Sequence, residues 1–101
     1  MSTVLDAVRE PRRQQALRLV WRRELPAGEI HRRIGEISFG AVSQHLRVLR
    51  EAGLVTVRQQ GRFRYYRAVP DSLGALRPWL EEMWTGSLDA LRDLAESEEA
   101  E

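Results

Sequence analysis

At 101 residues the chain has room for one ordinary domain and not for two. Its composition, 43% hydrophobic and 31% charged, predicts a folded chain rather than a disordered one. No run approaches the ~18 apolar residues of a membrane span, and the absence of cysteine excludes disulfides, thiolate metal clusters and thiol redox chemistry.

The formal net charge of +1 conceals a strong segregation. Residues 1–70 carry 14 arginines against six acidic groups, whereas residues 71–101 carry two against nine. There is no lysine, a choice that high genomic GC content explains as readily as function does. A basic body with an acidic end points to a polyanionic partner for the body. Met1 to Asp6 lacks the basic-then-apolar pattern of a secretory leader, so the cytoplasm is the expected compartment.

In chain order, Val4, Leu5 and Val8 mark a short first helix. Pro11 suits the first position of a second helix. There Ala16, Leu17, Val20 and Trp21 form an apolar stripe, and Arg12, Arg13, Arg18, Arg22 and Arg23 fill the other face. Leu25-Pro26-Ala27-Gly28 is expected to break the pattern. Glu29 to Ile34 reads as a third short helix closed by Gly35.

Ser38 is the candidate N-cap of a fourth helix, whose buried stripe would be Val42, Leu46, Leu49 and Ala52, with Gly53 stopping it. Ser43, Gln44, Arg47 and Arg50 occupy its opposite face. Leu54 to Val57 and Phe63 to Val69 are rich in β-branched and aromatic residues, which predicts a hairpin with Gln59-Gln60-Gly61-Arg62 as its turn. Beyond Pro70, the residues Leu76, Leu80, Met83, Trp84, Leu88, Leu91 and Leu94 recur at helical spacing. Pro78 suggests that this last helix begins near it. Gly86 weakens it, and residues 96–101 read as a frayed acidic end to a domain spanning residues 1–95.

The expected class is therefore mainly α with a β-hairpin, in the order α-α-α-α-β-β-α: a winged helix-turn-helix. A helix fits the DNA major groove, where Gln pairs with adenine and Arg with guanine. Ser43, Gln44 and Arg47 are the candidate base contacts. Arg58, Arg62 and Arg64 alternate with Phe63 and Tyr65, which is expected to place the three arginines on one side of the hairpin, toward phosphates. Arg12 and Arg13 fit either a phosphate or an internal acidic partner. Ser38 is read first as a cap and second as a phosphate contact.

Three segments carry a family resemblance: Pro11-Arg12-Arg13, the stretch from Ile37 to Val55 (ISFGAVSQHLRVLREAGLV), and Gly61 to Arg67 (GRFRYYR). Over about residues 5–95 the chain resembles the arsenic-repressor-like (ArsR/SmtB) family of bacterial transcriptional regulators. The resemblance implies a homodimer built on the first and last helices, an inverted-repeat target in double-stranded DNA, and repression. It adds Phe39, Gly40 and Ala41, at the start of the fourth helix, to the base-reading positions, and assigns Gln60, Gly61 and Arg62 to the wing tip. Val4, Leu5, Val8, Leu76, Trp79, Leu80, Met83, Trp84, Leu88 and Leu91 are the expected dimer interface. The last helix carries more apolar surface than one small body is expected to cover.

The chain departs from the family at its metal sites. The third-helix region Leu25 to Glu29 has no sulfur, and the last helix has no histidine. No metal or other cofactor is therefore expected, and no small-molecule effector is identified. His31 and His45 fall on different helices with no acidic cluster between them, which argues against a metal pair; His45 reads as a packing or phosphate contact, and His31 is assigned no role. No nucleophile–base pair, carboxylate pair or phosphate loop is present, so an enzyme is not expected. The alternatives are a winged-helix module that binds protein through its apolar last helix, or a sensor of an unidentified small molecule or metal.

Overall fold

A computed structural model of the chain describes residues 3–85. Five helices are present among them: α1 (Val4–Val8), α2 (Pro11–Leu19), α3 (Ala27–Ile34), α4 (Phe39–Glu51) and α5 (Leu76–Thr85). Three strands, β1 (Leu25–Pro26), β2 (Val55–Gln60) and β3 (Phe63–Ala68), form one antiparallel sheet in the order β1-β3-β2. A short 3-10 turn, Pro70–Leu73, leads into α5.

Local chemistry accounts for where the helices start and stop. Pro11 opens α2, where its missing N–H costs no hydrogen bond, and the Glu10 carboxylate accepts from the Arg13 N–H at 3.0 Å. Ser38 Oγ accepts from the Ala41 N–H at 3.1 Å, capping α4 as expected. Gly35 follows α3 with φ 63°, a conformation that favours glycine.

Val42, Leu46 and Leu49 on α4 have no exposed surface, and neither do Leu17 and Val20 from α2 and its end or Ile30 from α3. This is the centre of the core. Tyr66, Ala68 and Val55 close it from the sheet, and Leu73 and Leu80 from the C-terminal side. The Ala68 N–H joins the hairpin to the body by donating to Val20 O at 3.0 Å, and the Val69 N–H closes the base of the hairpin by donating to Leu54 O at 2.8 Å.

Several sequence expectations need correction. Leu25-Pro26 is a strand rather than a break, pairing with Tyr66 and Tyr65 of β3, and α3 starts at Ala27 instead of Glu29. The hairpin turn is tighter than expected. Gln59 and Gln60 belong to β2, leaving Gly61 and Arg62 as a two-residue turn with Gly61 at φ 61°. The start of α5 at Leu76, by contrast, is near Pro78 as expected. Leu88, Leu91, Gly86 and the acidic residues 96–101 lie outside the described residues.

The α3 surface carries a compact charge cluster. Glu29 accepts from Arg32 Nε at 2.9 Å, from Arg32 Nη2, and from Arg33 Nε at 2.9 Å. These hydrogen bonds, from Arg32 first and then Arg33, lower its pKa to about 2 from 4.5. Because the folded-state value lies below the unfolded one, the contribution is fully present above about pH 4.5 and is lost as pH falls toward 2. In thermal unfolding across that acid window, Glu29→Gln should therefore show a flatter fall in midpoint than the wild type. Parallel curves would show that the cluster contributes nothing to stability.

Candidate nucleic-acid interface

Burial of the Val42-Leu46-Leu49 stripe turns the other side of α4 outward, and Phe39, Gly40, Ser43, Gln44, Arg47 and Arg50 are all exposed. Opposite this face stands the inner side of the β2–β3 wing. Between them runs an open groove of about 970 Å³. Phe39, Gly40, Ser43, Gln44, Arg47, Arg50 and Glu51 form the helix wall; Gln59, Arg62, Phe63, Arg64 and Tyr66 form the wing wall. The α3 start, at Ala27 and Gly28, also contributes to the lining.

The structure thus brings together seven of the nine DNA-contact candidates: Phe39, Gly40, Ser43, Gln44, Arg47, Arg62 and Arg64. The other two, Ser38 and Ala41, do not line the groove. They sit at the start of α4, where the Ser38 hydroxyl is engaged by the Ala41 N–H. Arg50, Gln59, Phe63 and Tyr66 also line the groove, although no base or phosphate role in it was assigned to the last three from sequence.

The expectation that Arg58, Arg62 and Arg64 share one side of the wing does not hold. Arg58 pairs across the ladder with Tyr65, whereas Arg64 pairs with Gln59, so Arg58 and Arg64 lie on opposite faces. Arg58 instead grips Glu24 with two hydrogen bonds, Nε at 3.2 Å and Nη2 at 2.7 Å. Its guanidinium carbon stands 4.8 Å over the Tyr65 ring. Hydrogen bonding to Arg58 holds the Glu24 pKa below its ordinary value, keeping the pair ionised. Arg58 therefore straps the wing to the body from its outer face.

The arginines of the groove are engaged to different degrees. Arg47 pairs with Glu51 at 3.0 Å on the helix surface, a bond that solvent screens and a competing anion can displace. Among the described residues, the side chains of Arg50, Arg62 and Arg64 are exposed and make no hydrogen bond or ion pair. Arg12 and Arg13 are engaged internally. Arg12 meets Glu36 at 3.2 Å, and Arg13 donates to the carbonyls of Ala7 at 2.8 Å and Asp6 at 3.1 Å.

Both histidines support the frame of the groove. His31 Nε2–H donates to the Ile37 carbonyl at 2.9 Å, bracing the turn between α3 and α4. His45 Nδ1 lies 3.4 Å from Arg13 Nη1 and 3.9 Å from Glu10 Oε2, tying α4 to the start of α2. Among the described residues no group of three or more His, Asp or Glu side chains is placed to hold a metal ion. No helix of the described residues is long and apolar enough to cross a membrane.

The expected interface residues divide into two groups. Val8 and Leu80, at 1% and 0% exposure, are buried in the chain's own core and are not free to meet a partner. Trp84 is packed edge-on against Trp21 at 5.0 Å, and Trp21 Nε1–H donates to Glu81 at 3.2 Å, so these rings dock α5 on its own body. Leu5, Trp79 and Met83 remain 62%, 53% and 42% exposed. Val4 and Leu76 are half-buried.

Comparison with known proteins agrees with this architecture. Residues 10–57 match the family model described as bacterial regulatory protein, arsR family. The chain is 43% identical over 74 residues to the HTH-type transcriptional regulator Rv2034 of Mycobacterium tuberculosis, covering 73% of this chain and 68% of the relative. It is similar to the crystal structure of a possible transcriptional regulator for arsenical resistance, with 42% identity, a TM-score of 0.67, and coverage of 88% of this chain and 92% of the other. It is also similar to reduced HlyU from Vibrio cholerae, with 34% identity, a TM-score of 0.69, and coverage of 79% and 83%. The outward face of the fourth helix, the wing beside it and these relatives lead to one conclusion: the chain belongs to the arsR family of bacterial regulatory proteins, winged helix-turn-helix DNA-binding transcriptional regulators rather than enzymes.

Proposed function

We propose that the chain is a cytoplasmic, homodimeric repressor that binds an inverted repeat in double-stranded DNA through the α4–wing groove. One observation carries this reading. Among the described residues, the exposed side chains of Arg50 on the helix wall and of Arg62 and Arg64 on the wing wall make no hydrogen bond or ion pair, around a groove whose helix wall also presents Ser43, Gln44 and Arg47. Unpaired guanidinium groups suit phosphates, and the short or forked side chains of α4 suit base edges. The α4 helix enters the major groove, Gln44 and Arg47 read bases, and Arg62 and Arg64 on the wing hold the backbone. Ser43 adds an adaptable hydroxyl. Gly40 leaves space for close approach, since a Cβ there meets only Ser38 Oγ at 3.8 Å.

The dimer is supported by the exposed apolar residues of α1 and α5. Leu5, Trp79 and Met83 place large hydrophobic surface in water, a cost that contact with a second copy removes. Two-fold symmetry sets two α4 helices on half-sites about one helical turn of DNA apart.

Arg62→Ala and Arg64→Ala should each weaken binding to specific and scrambled duplexes alike. Each should also lower the slope of log affinity against log salt by about 0.9. An unchanged slope with loss of preference at a single base pair would overturn the phosphate role. Replacing Trp79 and Met83 together with Glu should convert a dimer into a species of the 11.7 kDa chain mass in sedimentation equilibrium. The far-UV circular dichroism should stay unchanged, because Leu80 and Trp84 still dock α5. A dimer that survives both substitutions would place the interface elsewhere.

A further inference from the structure

Phe39 places an apolar ring on the helix side of the groove. It is the first residue of α4 and is 48% exposed, on a wall that it shares with Gly40, Ser43, Gln44, Arg47, Arg50 and Glu51. The wing wall opposite carries a second exposed ring, Phe63, so the groove has apolar as well as charged lining, and an apolar group of a partner that covers the Phe39 ring gains by leaving water. The ring is also held in place. His31 packs against it edge-on, with centroids 5.6 Å apart and planes at 88°. The His31 ring is itself fixed by its Nε2–H bond to the Ile37 carbonyl at 2.9 Å. Aromatic pairs of this geometry stabilise one orientation.

Residues at the N-terminal end of a recognition helix reach base edges. The major groove offers one apolar group there, the C5-methyl of thymine. We propose that Phe39 reads that methyl, making it a specificity residue for a thymine in each half-site, and that His31 is its positioning residue. The inference rests on the DNA-binding reading above and deepens it. The contact removes a methyl group from water, so its loss weakens binding about fourfold.

The test first selects a preferred duplex from a random pool with the full chain. That duplex is then resynthesised with deoxyuridine replacing each thymidine in turn, which deletes the methyl and keeps the O4 acceptor. Fluorescence anisotropy should show one position per half-site where the replacement costs about fourfold. Phe39→Ala, a surface substitution, should bind the two forms of that duplex equally. His31→Ala should narrow the thymidine–deoxyuridine gap while leaving the salt slope intact, which a general structural defect would not do. The proposal is overturned if the selected duplex is bound specifically and every deoxyuridine replacement is neutral, or if Phe39→Ala keeps the gap. A pool that yields no preferred duplex would instead remove the DNA-binding reading on which the proposal stands.

Discussion

Burial of one stripe of α4 sets the geometry on which the rest of the molecule depends. Val42, Leu46 and Leu49 have no exposed surface, and they pack into a core shared with α2, α3 and the sheet. A helix whose apolar stripe is locked inward has no freedom to rotate about its axis. Ser43, Gln44 and Arg47 therefore point outward because their neighbours are buried. Truncating any of the three buried residues to alanine or smaller leaves a cavity and costs on the order of 1–5 kcal/mol, a large share of the stability of a domain this size.

The connections at either end of α4 convert that orientation into a groove. At its start, Gly35 and Glu36 take φ of 63° and 61°, and the non-glycine residue there is strained. Three contacts hold the turn against that strain: the Ser38 cap, the His31 bond to Ile37, and the Arg12–Glu36 ion pair. At its other end, Gly53 at φ 78° lets the chain turn directly into β2. The wing is then fixed by its register with β1 and by the Arg58–Glu24 pair on its outer face. Arg58, Arg33 and Arg12 are satisfied by Glu24, Glu29 and Glu36, whereas among the described residues Arg50, Arg62 and Arg64 make no hydrogen bond or ion pair at the groove.

The helical frame was legible in the sequence because its signals are local. The stripe Val42-Leu46-Leu49, the Ser38 cap and the Pro11 start each act within a turn or two of helix, and each appears in the structure as expected. What was not legible depends on pairing. A two-residue strand has no periodicity, and Leu25-Pro26 becomes one only because Tyr65 and Tyr66 lie alongside it. The faces of the wing were misread for a related reason. A two-residue turn pairs even-numbered residues of one strand with odd-numbered residues of the other, so Arg58 shares a face with Tyr65 and not with Arg64. Gln59, which its place before Gly61 assigns to the turn, is the ladder partner of Arg64 on the groove side. Val8 and Leu80 show a further limit: an apolar residue at helical spacing does not say whether it packs within its own chain or against another. His31 and His45 gave no signal of their roles, since their partners lie six and 32 residues away.

The central claim is that the α4–wing groove binds DNA in a sequence-dependent way through an arginine-rich rim. Its most direct test is the affinity of the full chain for the DNA upstream of its own gene and for a scrambled duplex of the same length. Fluorescence anisotropy at several salt concentrations measures both. The account predicts a steep linear fall of log affinity with log salt on both duplexes, with the upstream DNA bound about a thousandfold or more tightly at the same salt. Equal, weak binding with a flat salt response would contradict it.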